Sequence, residues 1–213
     1  MKLGIDIVSD VICPWCFIGK RRFEKALRLL PEEIQIDVRW RPFELNPDMP
    51  SEGISRELYR TRKFGSWERS RALDAQVAEH GAGEGIRFAF DRMERTPNTL
   101  EAHRLIWLAG EQGVQGAVVE GLFQAYFVHA RDVGNRDVLT QIAATSGMDT
   151  FDFLESERGR EEVRAEASRS RQQGIDGVPF FLIGGTTAIS GAQQPETIAA
   201  TLTRAMEAGF TNL

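Results

Sequence analysis

The two cysteines of this chain, Cys13 and Cys16, lie two residues apart in the segment SDVICPWCFIGKRRF, which runs from Ser9 to Phe23. Two thiols at this spacing can form a redox couple, supply half of a metal site, or be core residues without chemistry. A redox couple needs a helix that begins at the first cysteine, because unpaired N–H groups and the helix dipole stabilise a thiolate there. A thiol one turn later can then displace a mixed disulfide. This interpretation makes Cys13 the nucleophile and Cys16 the resolving thiol.

The two residues between the cysteines fit the same use. Pro14 suits the first turn of a helix, where its missing N–H would be unpaired in any case. Trp15 supplies an apolar wall beside the reactive sulfur. We therefore expect Pro14 and Trp15 to contact the substrate.

A zinc site is the main alternative for a Cys-x-x-C pair. Tetrahedral zinc needs four ligands, or three and a water, and this pair supplies only two of them. His80, His103 and His129 are scattered through the middle of the chain without a ligand-like spacing. The sequence therefore predicts no metal. Two inert core cysteines are also disfavoured, because structural cysteines do not usually cluster with Pro-Trp at a helix start.

The elements that must position the dithiol follow from hydrophobic periodicity. Residues 2–8, KLGIDIV, alternate as a strand does, and residues 34–40, IQIDVRW, return to that period after a helix. The later runs VPFFLIGG and TAISG predict a hairpin, followed by a last helix. Between these ends the pattern is helical. We expect a mixed α/β domain formed by residues 1–45 and 156–213 and interrupted by a helical insertion, residues 46–155.

The dipeptide Val178-Pro179 connects the two ends of the chain to one site. In the predicted layout, a proline that begins the third strand lies beside the helix carrying the two cysteines. A cis Val178–Pro179 bond would leave the carbonyl and N–H groups of Val178 free to pair with an extended substrate. We therefore expect both residues to bind the substrate.

With these motifs in place, the chain resembles the thioredoxin superfamily, through Cys13-Pro14-Trp15-Cys16 and Val178-Pro179. The helical insertion is similar to that of the DsbA-like branch. Four segments in the same order resemble its cytosolic FrnE-type members: SDVICPWCFIGKRRFEKAL, RPFELNPD, FDRMERTPNTLEAHRL and GVPFFLIGG. The resemblance implies an α/β, thioredoxin-like fold with a large all-helical insertion. It also implies a protein disulfide oxidoreductase that requires no cofactor.

The resemblance further implies that Asn98 and His103 lie on a face of the insertion that roofs the active site and contacts substrate. The residues themselves have simpler explanations. Asn98 is well placed to cap a helix, and His103 has the position of an ordinary, partly exposed helical residue. Both alternatives stay open at the level of sequence.

Two other functions remain open. The same branch has relatives similar to 2-hydroxychromene-2-carboxylate isomerase and to kappa-class glutathione transferases, which carry serine where Cys13 stands and bind glutathione. A glutathione-dependent isomerase or transferase is therefore one alternative, and glutathione is a candidate co-substrate. A redox-regulated, chaperone-like binding module that uses an apolar cleft around Trp15 is another.

Charged residues also lie near the motifs. The segment SRELYRTRKFGSWERSR, residues 55–71, is strongly basic and could attract an anionic substrate, but a solvated helix face explains it more simply. Asp6 lies in the first strand and Asp10 follows it, and a buried carboxylate there could activate Cys16. Asp10 could equally cap a helix or lie in solvent, so neither residue is assigned a role.

Composition and charge limit the partners. The net charge of −5 argues against a general nucleic-acid binder. No window approaches the length of apolar sequence that a membrane span needs, and Asp6 and Asp10 interrupt any apolar leader at the start. We expect a cytoplasmic monomer or homodimer whose partners are protein or small-molecule thiols and disulfides. In a reducing cytoplasm, paired cysteines are more often catalytic or metal-binding than structural.

Overall fold

A four-stranded mixed sheet, built from both ends of the chain, frames the molecule. The computed structural model describes residues 2–31, 34–148 and 150–210. The strands are β1 (Lys2–Ser9), β2 (Gln35–Pro42), β3 (Ile54–Ser55), β4 (Arg95–Thr96), β5 (Phe180–Ile183) and β6 (Thr187–Ser190). The main sheet has the order β2-β1-β5-β6, while β3 and β4 form a separate two-stranded ladder.

The strand pairing brings the two ends of the chain together. Strand β1 pairs in parallel with β2 and antiparallel with β5, with Val8 opposite Phe180. Strands β5 and β6 form the predicted antiparallel hairpin. Alternate β1 residues such as Ile5 and Ile7 are fully buried, as expected for a central strand that is covered by helices. The residues that follow β1 therefore lie next to those that precede β5.

Helices make up most of the remaining chain. Those described are α1 (Pro14–Leu27), α2 (Arg56–Phe64), α3 (Trp67–Gly83), α4 (Leu100–Glu111), α5 (Gln115–Phe123), α6 (Arg136–Thr145), α7 (Phe151–Glu155), α8 (Arg160–Gln172) and α9 (Pro195–Phe210). A π-helical turn, Gln124–Val128, continues α5 directly. Among the residues described, no helix has the length and apolar character needed to cross a membrane.

The helices inserted between β2 and β5 pack directly on α1. The ring of Phe17, next to Cys16, stacks on Phe123 at a centroid distance of 5.1 Å and on Phe127 at 6.1 Å. Phe88 meets Phe17 edge to face at 6.2 Å. Such aromatic contacts stabilise a core beyond the area that they bury. The inserted helices are therefore held against the helix that carries the dithiol, and the division at residues 45 and 155 stays a prediction.

Candidate active site

Cys13 lies at the N-cap of α1, with Pro14 in the first turn as predicted. The backbone of Cys13 is extended, its N–H donates to the carbonyl of Asp10 at 3.0 Å, and its carbonyl accepts the N–H of Cys16 at 3.0 Å. Both thiols are free and buried, Cys13 at 6% exposure and Cys16 at 1%. The three-residue offset at a helix start thus brings the two thiols together.

The two thiols have unequal electrostatic surroundings. A hydrogen bond from the Cys16 thiol lowers the pKa of Cys13, as do the N–H groups of Cys16 and Trp15, while burial and the charge of Asp10 oppose them. Burial raises the pKa of Cys16 well above that of an ordinary thiol, and Cys13 raises it further. Cys13 is therefore the thiol that ionises first.

The predicted substrate-binding dipeptide lies beside the dithiol. The Val178–Pro179 bond is cis, as predicted. The carbonyl oxygen of Val178 accepts a hydrogen bond from the Sγ atom of Cys13 at 3.5 Å. Pro179 packs so closely on Gly19 of α1 that a Cβ atom at position 19 would lie 2.8 Å from the Pro179 ring. The absence of a side chain at Gly19 permits this contact.

A cavity of about 340 Å³ opens beside Cys13 under α2 and α3. Pro14 and Trp15 line it, and the Trp15 ring lies 5.2 Å from the ring of His80, centroid to centroid. Half of the other wall residues are apolar, including Ile12, Leu45, Phe64, Val77, Phe90, Met93 and Phe127. The cavity is thus largely hydrophobic, with the reactive thiol at one end.

Three cations from the basic segment also reach this cavity. Arg56 and Arg60 bind opposite oxygens of Asp74 in α3, at 2.7 Å and 2.5 Å. The Nζ atom of the exposed Lys63 donates to the hydroxyl of Tyr59 at 2.8 Å. Arg56 is 3% exposed, so the interpretation of this segment as a solvated helix face is wrong for that residue. Three cations and one carboxylate leave the cavity wall with a positive excess.

His103 and Asn98 lie elsewhere. His103 is 2% exposed, and so is not a partly exposed helical residue; its Nε2 atom lies 3.4 Å from Oδ1 of Asp10. The Asn98 side chain donates to the carbonyl of Met49 at 2.7 Å and accepts the N–H of Leu100 at 2.9 Å, as a helix-capping residue does. Neither is among the described residues that line the Cys13 cavity, so substrate contact by these two stays a prediction.

Sequence reasoning missed two contributors to the cavity and left a neighbour of the dithiol unassigned. His80 and Asp74 line the cavity, but each lies in a helix whose pattern does not distinguish it from a surface residue. Asp10 is completely buried three residues before Cys13. Its short distance from the dithiol in the sequence was the available signal, and only burial decides that it does not lie in solvent.

A metal site has no support in the described part of the chain. Within residues 2–31, 34–148 and 150–210, there is no group of three or more His, Cys, Asp or Glu side chains that could hold an ion.

Comparison with known proteins gives a consistent result. Residues 4–203 match the model of the DSBA-like thioredoxin domain family. YwbO of Bacillus subtilis (strain 168) is 29% identical over 196 residues, which is 90% of this chain and 92% of that protein. The crystal structure of the probable DsbA oxidoreductase SCO1869 from Streptomyces coelicolor has 31% identity and a TM-score of 0.87, over 96% of this chain and 90% of that one.

A more distant structure shares the fold. Cytosolic disulfide reductase DsbM from Pseudomonas aeruginosa, solved with GSH, superposes with a TM-score of 0.68 at 18% identity. The match covers 96% of this chain and 99% of that one. At this identity the likeness concerns the fold alone.

Proposed function

Because this chain belongs to the family of DSBA-like thioredoxin domains, we propose that it is a thiol–disulfide oxidoreductase whose reactive groups are Cys13 and Cys16. The observation that carries the proposal is the geometry around Cys13. Cys13 begins a helix, and its thiol receives a hydrogen bond from Cys16 and lies 3.5 Å from the carbonyl oxygen of Val178. A stabilised thiolate and a second thiol within reach are what disulfide exchange requires, and the Val178 carbonyl lies beside the reactive sulfur.

In the reductive direction, the Cys13 thiolate attacks one sulfur of a substrate disulfide and the other sulfur leaves as a thiolate, which takes up a proton. The product is a mixed disulfide between Cys13 and the substrate. Cys16 then loses its proton and attacks Cys13, and the second substrate thiolate leaves. The substrate gains two electrons and two protons, and the protein ends with a Cys13–Cys16 disulfide. The oxidative direction reverses each step.

The raised pKa of Cys16 gives this sequence its order. A buried thiol that holds its proton does not compete with Cys13 for the incoming disulfide. Once Cys13 is in a mixed disulfide, it carries no negative charge, and one cause of the raised pKa of Cys16 disappears. Cys16 then ionises more readily and attacks its neighbour.

Substrate recognition uses two surfaces next to the Cys13 sulfur. The carbonyl of Val178 can accept an N–H from an extended segment that flanks the substrate cysteine, as in strand addition. Pro14 and Trp15 contact the substrate from the cavity side. This arrangement suits a protein or peptide disulfide.

A second candidate, exchange with glutathione, is favoured by the charge of the cavity. Arg56, Arg60 and Lys63 line the cavity against the single carboxylate of Asp74. Glutathione is a small anionic thiol, and an excess of cations attracts it. The DsbM structure was solved with GSH, and that protein is named as cytosolic, which supports a cytoplasmic setting for the reaction.

The deciding experiment compares the wild type with Cys13→Ser and Cys16→Ser in reduction of insulin and oxidation of a dithiol peptide. We expect Cys13→Ser to lose turnover. Cys16→Ser should attack once and stop, and mass spectrometry should find a mixed disulfide at Cys13. Full turnover by Cys13→Ser would contradict the assignment. Activity that survives in Cys16→Ser and saturates with glutathione would favour the second candidate.

A further inference from the structure

A buried acid–base pair lies directly behind the dithiol. Asp10 is 0% exposed and His103 is 2% exposed, and Oδ1 of Asp10 lies 3.4 Å from Nε2 of His103. Asp10 begins the turn that leads into α1, where its main-chain carbonyl accepts the N–H of Cys13. His103 comes from α4 in the inserted helices. The pair thus links that helix to the start of the active-site helix.

The two atoms of this pair that face each other lack hydrogen bonds. Oδ2 of Asp10 accepts the N–H of Leu45 at 2.7 Å, whereas Oδ1 of Asp10 and Nε2 of His103 are both buried and form no hydrogen bond with the described residues. Buried polar atoms nearly always have partners, and a buried carboxylate is costly unless a charge compensates it. A proton on Nε2 that makes the imidazole cationic would supply that charge.

His103 also borders a second cleft, separate from the Cys13 cavity. This cleft, of about 540 Å³, lies between β2, α4 and α8 and includes Trp40, Trp107 and Glu166 in its walls. The imidazole therefore has Asp10 in contact and a surface cleft close by.

Other charges reach the pair from the elements around it. Glu44 is buried after β2, and its pKa is raised by burial, with His103 opposing the shift and Asp10 adding to it. Arg164 and Arg171 of α8 act on Glu44 in turn. Tyr126 of the π-helical turn also interacts with Asp10. On the cleft side, Arg41 is paired with Glu166. His103 is the group that faces Asp10 at ion-pair distance.

We propose that His103 and Asp10 are a charge-compensating pair that sets the balance between the reduced and oxidised dithiol. Both act through Cys13 and are positioning residues. Asp10 opposes a negative charge at Cys13, and the positive charge of His103 offsets this opposition. The inference rests on the proposed exchange reaction. It assigns His103 a role from inside the core, distinct from the substrate contact that its sequence motif suggested.

The test uses Asp10→Asn, His103→Gln and the double variant. Asparagine keeps an oxygen that can accept the N–H of Leu45. Thiolate formation at Cys13 is followed by ultraviolet absorbance against pH, and the equilibrium with glutathione is measured separately. Glu84→Gln is the matched control, because Glu84 at the end of α3 forms a buried ion pair at 2.7 Å with Arg22, which lies in the same helix as the dithiol but further along it.

The two single variants should shift the Cys13 titration midpoint and the glutathione equilibrium constant in opposite directions. Removing the charge of Asp10 should stabilise the Cys13 thiolate, lower its titration midpoint and make the couple more oxidising. Removing His103 should do the reverse, because Asp10 is then uncompensated. We expect a change of about tenfold in the glutathione equilibrium constant for each, which corresponds to about 30 mV. The glutathione equilibrium constant of the double variant should return towards the wild-type value, and that of Glu84→Gln should not change.

Shifts in the same direction for both single variants, or no shift for His103→Gln beyond that of Glu84→Gln, would overturn the proposal. If a variant does not fold, the wild type still provides a test. NMR chemical shifts of the three histidines report whether His103 is cationic in the reduced protein at neutral pH, and a neutral imidazole would overturn the proposal. If the wild type fails to exchange with glutathione or peptides, the proposed function fails, while the thiolate titration still decides this inference.

Discussion

The sulfur of Cys13 and the carbonyl oxygen of Val178 lie 3.5 Å apart although 165 positions separate the two residues in the chain. The register of β1 and β5 explains this proximity, because the strands are antiparallel and Val8 near the end of β1 pairs with Phe180 at the start of β5. One side of the site is therefore fixed by backbone hydrogen bonds, and no flexible side chain is needed to hold it.

The hydrogen bond between the two thiols should be measurable as a difference in reactivity. Replacing Cys16 by Ala removes the largest cause of the lowered pKa of Cys13. The pKa of Cys13 should rise, and its alkylation by iodoacetamide at neutral pH should become severalfold slower. The comparison is the pH profile of alkylation in reduced wild-type protein. An unchanged profile in Cys16→Ala would mean that the helix terminus alone stabilises the thiolate.

The contact between Gly19 and Pro179 should not tolerate a methyl group. In Gly19→Ala the new Cβ would lie 2.8 Å from the Pro179 ring, so either α1 or the segment before β5 must move. We expect the free energy of unfolding to fall by about 1–3 kcal/mol and disulfide exchange to slow. Gly116→Ala is the control, because position 116 in α5 has open space around it. If Gly19→Ala and Gly116→Ala had the same free energy of unfolding and the same rate of disulfide exchange, Pro179 would not need to be held in place.

The ion pairs between α1 and α5 should make stability depend on pH. Burial would raise the pKa of Glu120, but hydrogen bonds from Arg21, Lys20 and Gln124 outweigh it and lower the pKa to about 2. A carboxyl whose pKa is lower in the folded state stabilises the fold above its unfolded pKa. That contribution is lost as the pH falls towards the folded value.

Glu120→Gln should therefore lower the free energy of unfolding by about 1 kcal/mol at neutral pH, after allowance for solvent screening. The difference from wild type should narrow between pH 4.5 and about 2. Urea denaturation at several pH values measures it. Glu155→Gln removes an exposed pair with Arg136 and should have almost no effect. A pH-independent loss in Glu120→Gln would point to packing as its cause.

The charge of the cavity wall should discriminate between disulfides. Lys63→Met removes an exposed cation that lines the cavity. The rate of exchange with glutathione disulfide should fall by about two- to fivefold, while exchange with the neutral bis(2-hydroxyethyl) disulfide should stay the same. Lys63→Arg keeps the charge and should behave as wild type. An equal loss with both disulfides would assign Lys63 a structural role in α2.

Much of the fold could be predicted from local patterns. The α/β, thioredoxin-like fold with its large helical insertion is confirmed by the family match and by the sheet order. Three of its features follow from short-range signals: the strand periodicity, the proline in the first turn of α1 and the β5–β6 hairpin. Each of these signals depends only on residues that are neighbours in the sequence. The predicted order of strands added the placement of Val178-Pro179 beside the dithiol, which no short-range signal contains.

The rest depends on contacts between distant segments. The burial of His103 requires α4 to face Asp10, and the burial of Arg56 requires Asp74 from the next helix. A basic run on one helix resembles a solvated face until a carboxylate on another helix is placed against it. The edge of β2 also depends on a distant segment. The side chain of Gln115 accepts the N–H of Trp40 and donates to its carbonyl, in place of a further strand.

The separation of Cys13 from Val178 also has a consequence for the timing of biosynthesis. The dithiol is translated early and Val178 late, so at roughly 5–20 residues per second the two thiols exist for about ten seconds or more before their carbonyl partner is made. During that interval the nascent chain carries two cysteines without β5 beside them. The substrate side of the site is complete only after the β5 segment has been translated and has paired with β1. A chain whose translation stops earlier therefore has both thiols but lacks the Val178 carbonyl beside them.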